Sequence, residues 1–146
     1  MRIFIDGDGS PVKEDVYQIA KEYGVKVVLV TSFDHYSEKE LVGEVERVYV
    51  DRGADSADFK IMQLIQAGDI LVTQDYGLAS LVLPKQARVL HQLGFEYTSN
   101  NIDELLTQRY FGQISRKSGK HSKAPKPFTK ENHLAFREKL KSVLTL

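Results

Sequence analysis

Five aspartates stand at or just beyond short apolar runs. Asp6 and Asp8 follow Ile3-Phe4-Ile5, Asp55 and Asp58 come after Val45–Val50, and Asp75 follows Ile70–Thr73. Carboxylates are oxygen donors of the kind a hard divalent cation takes, and Mg²⁺ typically uses one or two of them beside water and substrate phosphate. Acids gathered in one cleft repel one another unless paired or metal-bound. A cation held there activates water and stabilises both oxygens of an in-line phosphoryl displacement. The expected cofactor is therefore Mg²⁺ or Mn²⁺. Asp6, Asp58 and Asp75 are the expected direct ligands. Asp55 and Asp8 are outer-shell or second-metal groups, and Asp6, Asp8, Asp58 and Asp75 form the expected catalytic set.

Each acid has a plainer role open to it. Asp55 and Asp75 could cap helices, and Asp8 could sit in a turn beside its glycine neighbours. Asp58 fits a plain role least well. Ile61, Met62 and Ile65 lie three, four and seven residues on, so Asp58 shares the apolar face of its helix. Ser10 and Thr73 could bind a phosphate or orient an acid. Ser10 could equally cap a helix, and Thr73 could be a satisfied strand-end hydroxyl. The four histidines, at 35, 91, 121 and 133, are scattered, and there is no cysteine, so nothing resembles a zinc ligand set.

The elements that must position these groups alternate in type. Arg2–Asp6, Val25–Val30, Val45–Val50, Ile70–Thr73 and Ala87–Leu90 read as strands, rich in β-branched residues. Ser10-Pro11 reads as a cap and first turn for a helix that Gly24 ends. Asp55–Ala67 and Leu78–Leu83 carry helical periodicity, the second closed by Pro84. Residues 32–44 read as a loop. Asn101-Ile102-Asp103-Glu104 resembles a capping box before a helix containing Leu105, Leu106 and Tyr110. Thr129 caps a last helix with Phe136, Leu140, Val143 and Leu144 on one side. Alternating strands and helices imply an α/β fold, a mainly parallel sheet with helices on both faces. Ligands in such sheets sit beyond the carboxyl ends of the strands, where these acids fall.

The chain has 146 residues, the length of one domain. Without cysteine there is no disulfide scaffold and no thiol nucleophile. No run of 18 apolar residues spans a membrane. Asp6 comes too early for a signal peptide, so the expected location is the cytoplasm. The formal net charge of zero conceals a division. Residues 1–108 hold ten basic and eighteen acidic side chains, a net of −8, and residues 109–146 hold ten and two, a net of +8. The first part is the acidic α/β core and the second a basic helical arm. Residues 115–127 (SRKSGKHSKAPKP) lack periodicity. Arg109, Arg116, Lys117, Lys120, His121, Lys123 and Lys126 could contact phosphates of a nucleic acid, a salt-sensitive and sequence-independent attraction. Tyr110, Phe111 and Phe128 could stack on bases. Packing is the plainer role for Phe111, and a staple on the last helix for Phe128.

Two family resemblances follow from these motifs. Asp6-Gly7-Asp8-Gly9-Ser10 resembles the first motif of haloacid-dehalogenase-type phosphatases, which implies Asp6 as a phosphorylated nucleophile and Asp8 as acid/base. Thr73 and Lys85 would be its second and third motifs. Its closing acidic motif is missing, because the sequence turns basic after Lys85.

The whole chain more closely resembles the YaiI/YqxD family of uncharacterised bacterial proteins, grouped with PIN-like nuclease domains. The resemblance is carried by Asp6-Gly7-Asp8-Gly9-Ser10-Pro11, Asp55-Ser56-Ala57-Asp58 and Thr73-Gln74-Asp75. It continues through Tyr97-Thr98-Ser99-Asn100-Asn101-Ile102, Arg116-Lys117-Ser118-Gly119 and Pro125-Lys126-Pro127-Phe128. Ser10 stands where the family has cysteine, and Lys123-Ala124 where a glycine pair is usual. The resemblance implies a PIN-like sheet whose acids gather Mg²⁺ or Mn²⁺ and a nuclease acting on RNA more readily than DNA. A non-catalytic nucleic-acid-binding module on a degenerate site stays open beside it.

Overall fold

The computed structural model describes residues 1–7, 9–32, 43–51, 56–108 and 127–145. Strands β1 (Arg2–Asp6), β2 (Lys26–Ser32), β3 (Val45–Val50), β4 (Ile70–Val72), β5 (Arg88–Leu90) and β6 (Glu96–Tyr97) form one sheet in the order β3-β2-β1-β4-β5-β6. The first five run parallel, and β6 is antiparallel to β5. The helices are α1 (Lys13–Tyr23), α2 (Ser56–Leu64), α3 (Tyr76–Val82), α4 (102–108) and α5 (Lys130–Leu144), with a 3₁₀ turn at Leu83–Lys85. This is the expected α/β architecture.

The period-2 alternation of β1 explains why both faces need covering. Ile3 and Ile5 point to one side and join Val16, Ile19, Phe136, Leu140 and Val143 from α1 and α5. Phe4 points to the other and joins Ile61, Leu78, Val82 and Ile102 from α2, α3 and α4. A strand buried on both faces has no place for a charge until it ends. The first carboxylate of β1, Asp6, therefore stands at the strand's last residue.

The order of the strands reverses once. From β1 the chain steps to β2 and β3 on one side, then crosses to β4 on the other side of β1. The carboxyl ends of β1 and β4 thus diverge around a switch point, where an open α/β sheet leaves a crevice. Gly7 lets the chain turn there. Its N–H donates to the Val30 carbonyl at 2.8 Å, and a Cβ would fall 2.5 Å from Leu29 Cδ1 and 3.0 Å from that carbonyl oxygen.

Several boundaries differ from the sequence reading. α1 starts at Lys13 with Val12 as its cap residue, and Ser10 does not cap it. Ser10 instead closes a turn, its N–H donating to the Gly7 carbonyl at 3.3 Å. The box before α4 is Thr98 with Asn101, three residues before the expected one. Thr98 N–H donates to Asn101 Oδ1 at 2.9 Å and Asn101 N–H to Thr98 Oγ1 at 3.2 Å. α2 ends at Leu64, α3 starts at Tyr76 behind an Asp75 cap, and β2 runs on to Ser32. The two-residue β6 is a sixth strand that periodicity did not show. The expected loop over 32–44 falls mostly on 33–42, outside the described residues.

The last helix is tied to the first. Thr129 and Asn132 form a reciprocal capping box at the start of α5. Asp15, in the first turn of α1, meets His133 Nδ1 at 2.6 Å and accepts from Arg137 at 3.0 Å. α1 leaves from the carboxyl edge, so α5 also begins at that edge. Farther along, Gly94 seats the turn after β5 on α5. Its φ is +95°, and a Cβ there would lie 2.8 Å from the Ala135 carbonyl carbon. Gly94→Ala is expected to cost about 2 kcal/mol, from a strained φ and a backbone clash. A urea denaturation midpoint measures this.

Candidate functional site at the sheet switch point

Register brings the key residues together. Ile5 pairs with Val72, so the next residues, Asp6 and Thr73, lie side by side at the strand ends. Thr73 is buried, and its hydroxyl donates to Asp6 Oδ2 at 3.0 Å. Thr73 Oγ1 in turn accepts the Asp75 N–H at 3.0 Å. One hydroxyl therefore couples the end of β1 to the start of α3. Asp75 also caps α3, its Oδ1 accepting from Gly77 N–H at 2.9 Å and Leu78 N–H at 3.2 Å. The capping role and the site position coincide in this residue.

A small cleft opens beside these groups, lined by Asp6, Ser10, Val72, Thr73, Gln74 and Gln92. Ser10 thus reaches the site although it caps no helix. Among the described residues, the polar groups of this lining are a carboxylate, hydroxyls and amides, with no lysine, arginine or histidine. Oxygen donors of this kind, with Asp75 adjacent, fit a hard cation such as Mg²⁺ or Mn²⁺ and do not fit a soft one.

Asp58 lies in the first turn of α2, half-buried above buried Ile61 and Ile65, and is not among the residues lining the cleft. Asp8, Asp55, Arg109, Arg116, Lys117, Lys120 and Lys123 lie outside the described residues. Among the described residues, no three His, Cys, Asp or Glu side chains gather as a cation cluster. Lys85, the lysine of the phosphatase-like reading, belongs to the opposite edge. Its ammonium donates to the Met62 carbonyl, beside Gln86, whose carbonyl accepts from Gly68 ahead of β4.

Three groups at this edge escaped the sequence reading. Tyr97, quoted there only as part of a motif, is buried and donates its hydroxyl to the Thr73 carbonyl at 3.2 Å. Burial, with Tyr76 and Asp75 nearby, pushes its pKa far above the ordinary tyrosine value, so it stays a donor. Thr31 and Ser32 bring buried hydroxyls to the end of β2. His91 and Gln92 follow β5 directly. The strand-end rule that singled out Asp6 and Asp75 would have found them if applied to Ala87–Leu90.

His91 is buried, stacks on Phe95 at 4.5 Å between centroids, and accepts the Leu93 N–H on Nδ1 at 3.0 Å. That bond leaves the proton on Nε2. Burial lowers its pKa to about 4. An unfolded histidine titrates near 6.5, so the unfolded chain takes up this proton first. Stability from neutral His91 is complete above about pH 6.5 and is lost as pH falls toward 4, by up to ~3 kcal/mol. Urea midpoints at pH 7 and pH 4.5 should fall further for the wild type than for His91→Phe.

These features define an α/β protein with an acid-and-hydroxyl site at its switch point. The family model described as "Uncharacterized BCR, YaiI/YqxD family" matches residues 4–146, and the chain belongs to that family. It is 62% identical over 141 residues to a "UPF0178 protein" of Enterococcus faecalis, covering 96% of this chain and 95% of that one. It is 51% identical over 146 residues to a "UPF0178 protein" of Bacillus cereus, covering all of both chains. Among solved structures it is similar to Rae1 (YacP) from Bacillus subtilis, W164L mutant, at 16% identity and a TM-score of 0.43, covering 99% of this chain and 98% of that one. That likeness is too weak to bear on fold or function. No helix among the described residues is long and apolar enough to cross a membrane.

Proposed function

We propose that the protein is a divalent-metal-dependent phosphodiesterase of PIN-like type acting on nucleic acid, in the cytoplasm. One observation carries this reading. The Thr73 hydroxyl joins Asp6, at the end of β1, to Asp75, at the start of α3, where the strand order reverses. Asp6 and Asp75 would hold Mg²⁺ or Mn²⁺, with Asp8, Asp55 and Asp58 as the further acids. When bound, such a cation lowers the pKa of its water and offsets charge on a phosphoryl group.

The protein's own groups have defined tasks. Thr73 holds the Asp6 carboxylate in one orientation by donating to Oδ2. Tyr97 fixes the Thr73 backbone from below. Ser10 presents a hydroxyl to the same cleft. A phosphodiester lying over this cleft would meet the Asp6 carboxylate, a group that a bound cation would bridge to it. The net charge of +8 over residues 109–146 supplies long-range attraction for a polyanion. His133, within that segment, is bonded to Asp15 at the carboxyl edge of the sheet.

The test is hydrolysis of labelled single-stranded RNA and DNA with Mg²⁺, with Mn²⁺ and with EDTA. Cleavage that needs the metal and fades with added salt is expected. Salt-sensitive binding without metal-dependent cleavage would show instead a binding module on a degenerate site.

A further inference from the structure

The turn after β5 is fixed more tightly than a connection between two short strands requires. His91 N–H donates to the Phe95 carbonyl at 2.8 Å, and Gly94 N–H to the His91 carbonyl at 2.9 Å. The His91 ring accepts Leu93 N–H at 3.0 Å and stacks on Phe95. Gly94 is seated against the backbone of α5. His91, Gly94 and Phe95 are thereby explained by their own bonds and packing, while the Leu93 side chain is exposed. Gln92 is among the residues that line the cleft, with Asp6, Ser10, Thr73 and Gln74.

Register sets Gln92 on the far wall. Val72 pairs with Leu90, so β4 lies between Gln92 on one side and Asp6 with Ser10 on the other. A phosphodiester strand lying across the ends of β1, β4 and β5 passes from Asp6 to Gln92. Its non-bridging oxygens need N–H donors on that second wall. A lysine there would add a positive charge to the same cleft as the Asp6 carboxylate. A glutamine amide donates two N–H groups and carries no charge, so it can bond a phosphate oxygen without neutralising the carboxylates. Presentation from a rigid turn lowers the ordering cost of that contact.

We infer that Gln92 is a substrate-binding residue that donates its side-chain amide to a non-bridging phosphate oxygen of a nucleic-acid strand lying across the ends of β1, β4 and β5. The inference rests on the phosphodiesterase reading for the identity of the ligand, and its test separates the two. Fluorescence anisotropy with labelled single-stranded RNA and DNA, with Ca²⁺ replacing Mg²⁺, reads binding alone. Gln92→Leu should weaken binding of both strands about tenfold, the loss of a hydrogen bond to a charged acceptor. Gln92→Glu should weaken it further by like-charge repulsion. Gln66→Leu, at the opposite edge, should change neither. Where the wild type cleaves, KM should rise for Gln92→Leu while kcat holds.

Unchanged affinity and KM in both Gln92 variants would overturn the contact even if the wild type cleaves nucleic acid. A loss on RNA alone would move the contact to the ribose hydroxyl and overturn the phosphate assignment. Binding that depends on Gln92 without any cleavage would support the contact and sink the hydrolase reading. A wild type that binds neither strand would overturn it.

Discussion

Asp6→Asn is expected to abolish metal-dependent cleavage and to weaken Mn²⁺ binding by more than about a hundredfold, beyond the losses seen for outer-shell partners of metal sites. The substitution tests chemistry and leaves folding in place. The asparagine carbonyl can still accept the Thr73 hydroxyl that Asp6 Oδ2 accepts at 3.0 Å. What is lost is one negative charge at the last residue of a central strand. Calorimetric titration with Mn²⁺ and a thermal melt on the same sample separate the two effects. The expected result is a near-native melt with no detectable metal heat. A melt that collapses would place Asp6 among the structural acids. Retained cleavage in a folded Asp6→Asn variant would remove it from the site.

Thr73→Val has the second largest expected effect, because one hydroxyl serves two partners. Removing it takes the donor from Asp6 and the acceptor from the Asp75 N–H. Valine matches the shape of threonine but offers neither function. An amide left without a partner costs ~1–3 kcal/mol. A metal ligand that loses its orienting partner binds its cation about 10- to 100-fold more weakly. Both losses are expected together in Thr73→Val, read by urea denaturation and Mn²⁺ titration. Thr73→Ser keeps the hydroxyl and should recover most of each. If stability falls but Mn²⁺ affinity stays, the bridge is structural only.

How much of this was legible in the sequence differs from feature to feature. The strands were visible because parallel strands buried on both faces read as apolar runs, as Arg2–Asp6 and Val25–Val30 do. Asp6, Thr73 and Asp75 were visible because a charged or polar residue that ends such a run is the first one free of the core. Their meeting was not visible. It depends on β4 returning beside β1 and on the pairing of Ile5 with Val72, both long-range choices. The helix starts were misread for local reasons. Ser10-Pro11 satisfies the rule for a capped first turn, but the close passage of Gly7 over β2 uses Ser10 in a turn first. At α4 the cap moved to Thr98, because Asn101 serves as the reciprocal partner in the box and also donates to the Glu96 carbonyl at 2.9 Å. β6 escaped because two residues carry no period, and its position comes from pairing with Val89 and Leu90.

The division of charge between the core and residues 109–146 was legible from composition alone. The Asp15 contacts to His133 and Arg137 hold the start of α5 at the carboxyl edge. No local pattern announces a side-chain contact spanning 118 residues of sequence, so this anchor could be found only in three dimensions.

Asp6 and Asp75 are proposed to hold a divalent cation at the switch point. A crystal grown or soaked with Mn²⁺ tests it most directly, through the anomalous difference map. The account predicts a peak in the cleft beside Ser10 and Thr73, within coordination distance of the Asp6 and Asp75 carboxylates. A saturated crystal with no peak at Asp6, or with its manganese bound only elsewhere, would contradict it.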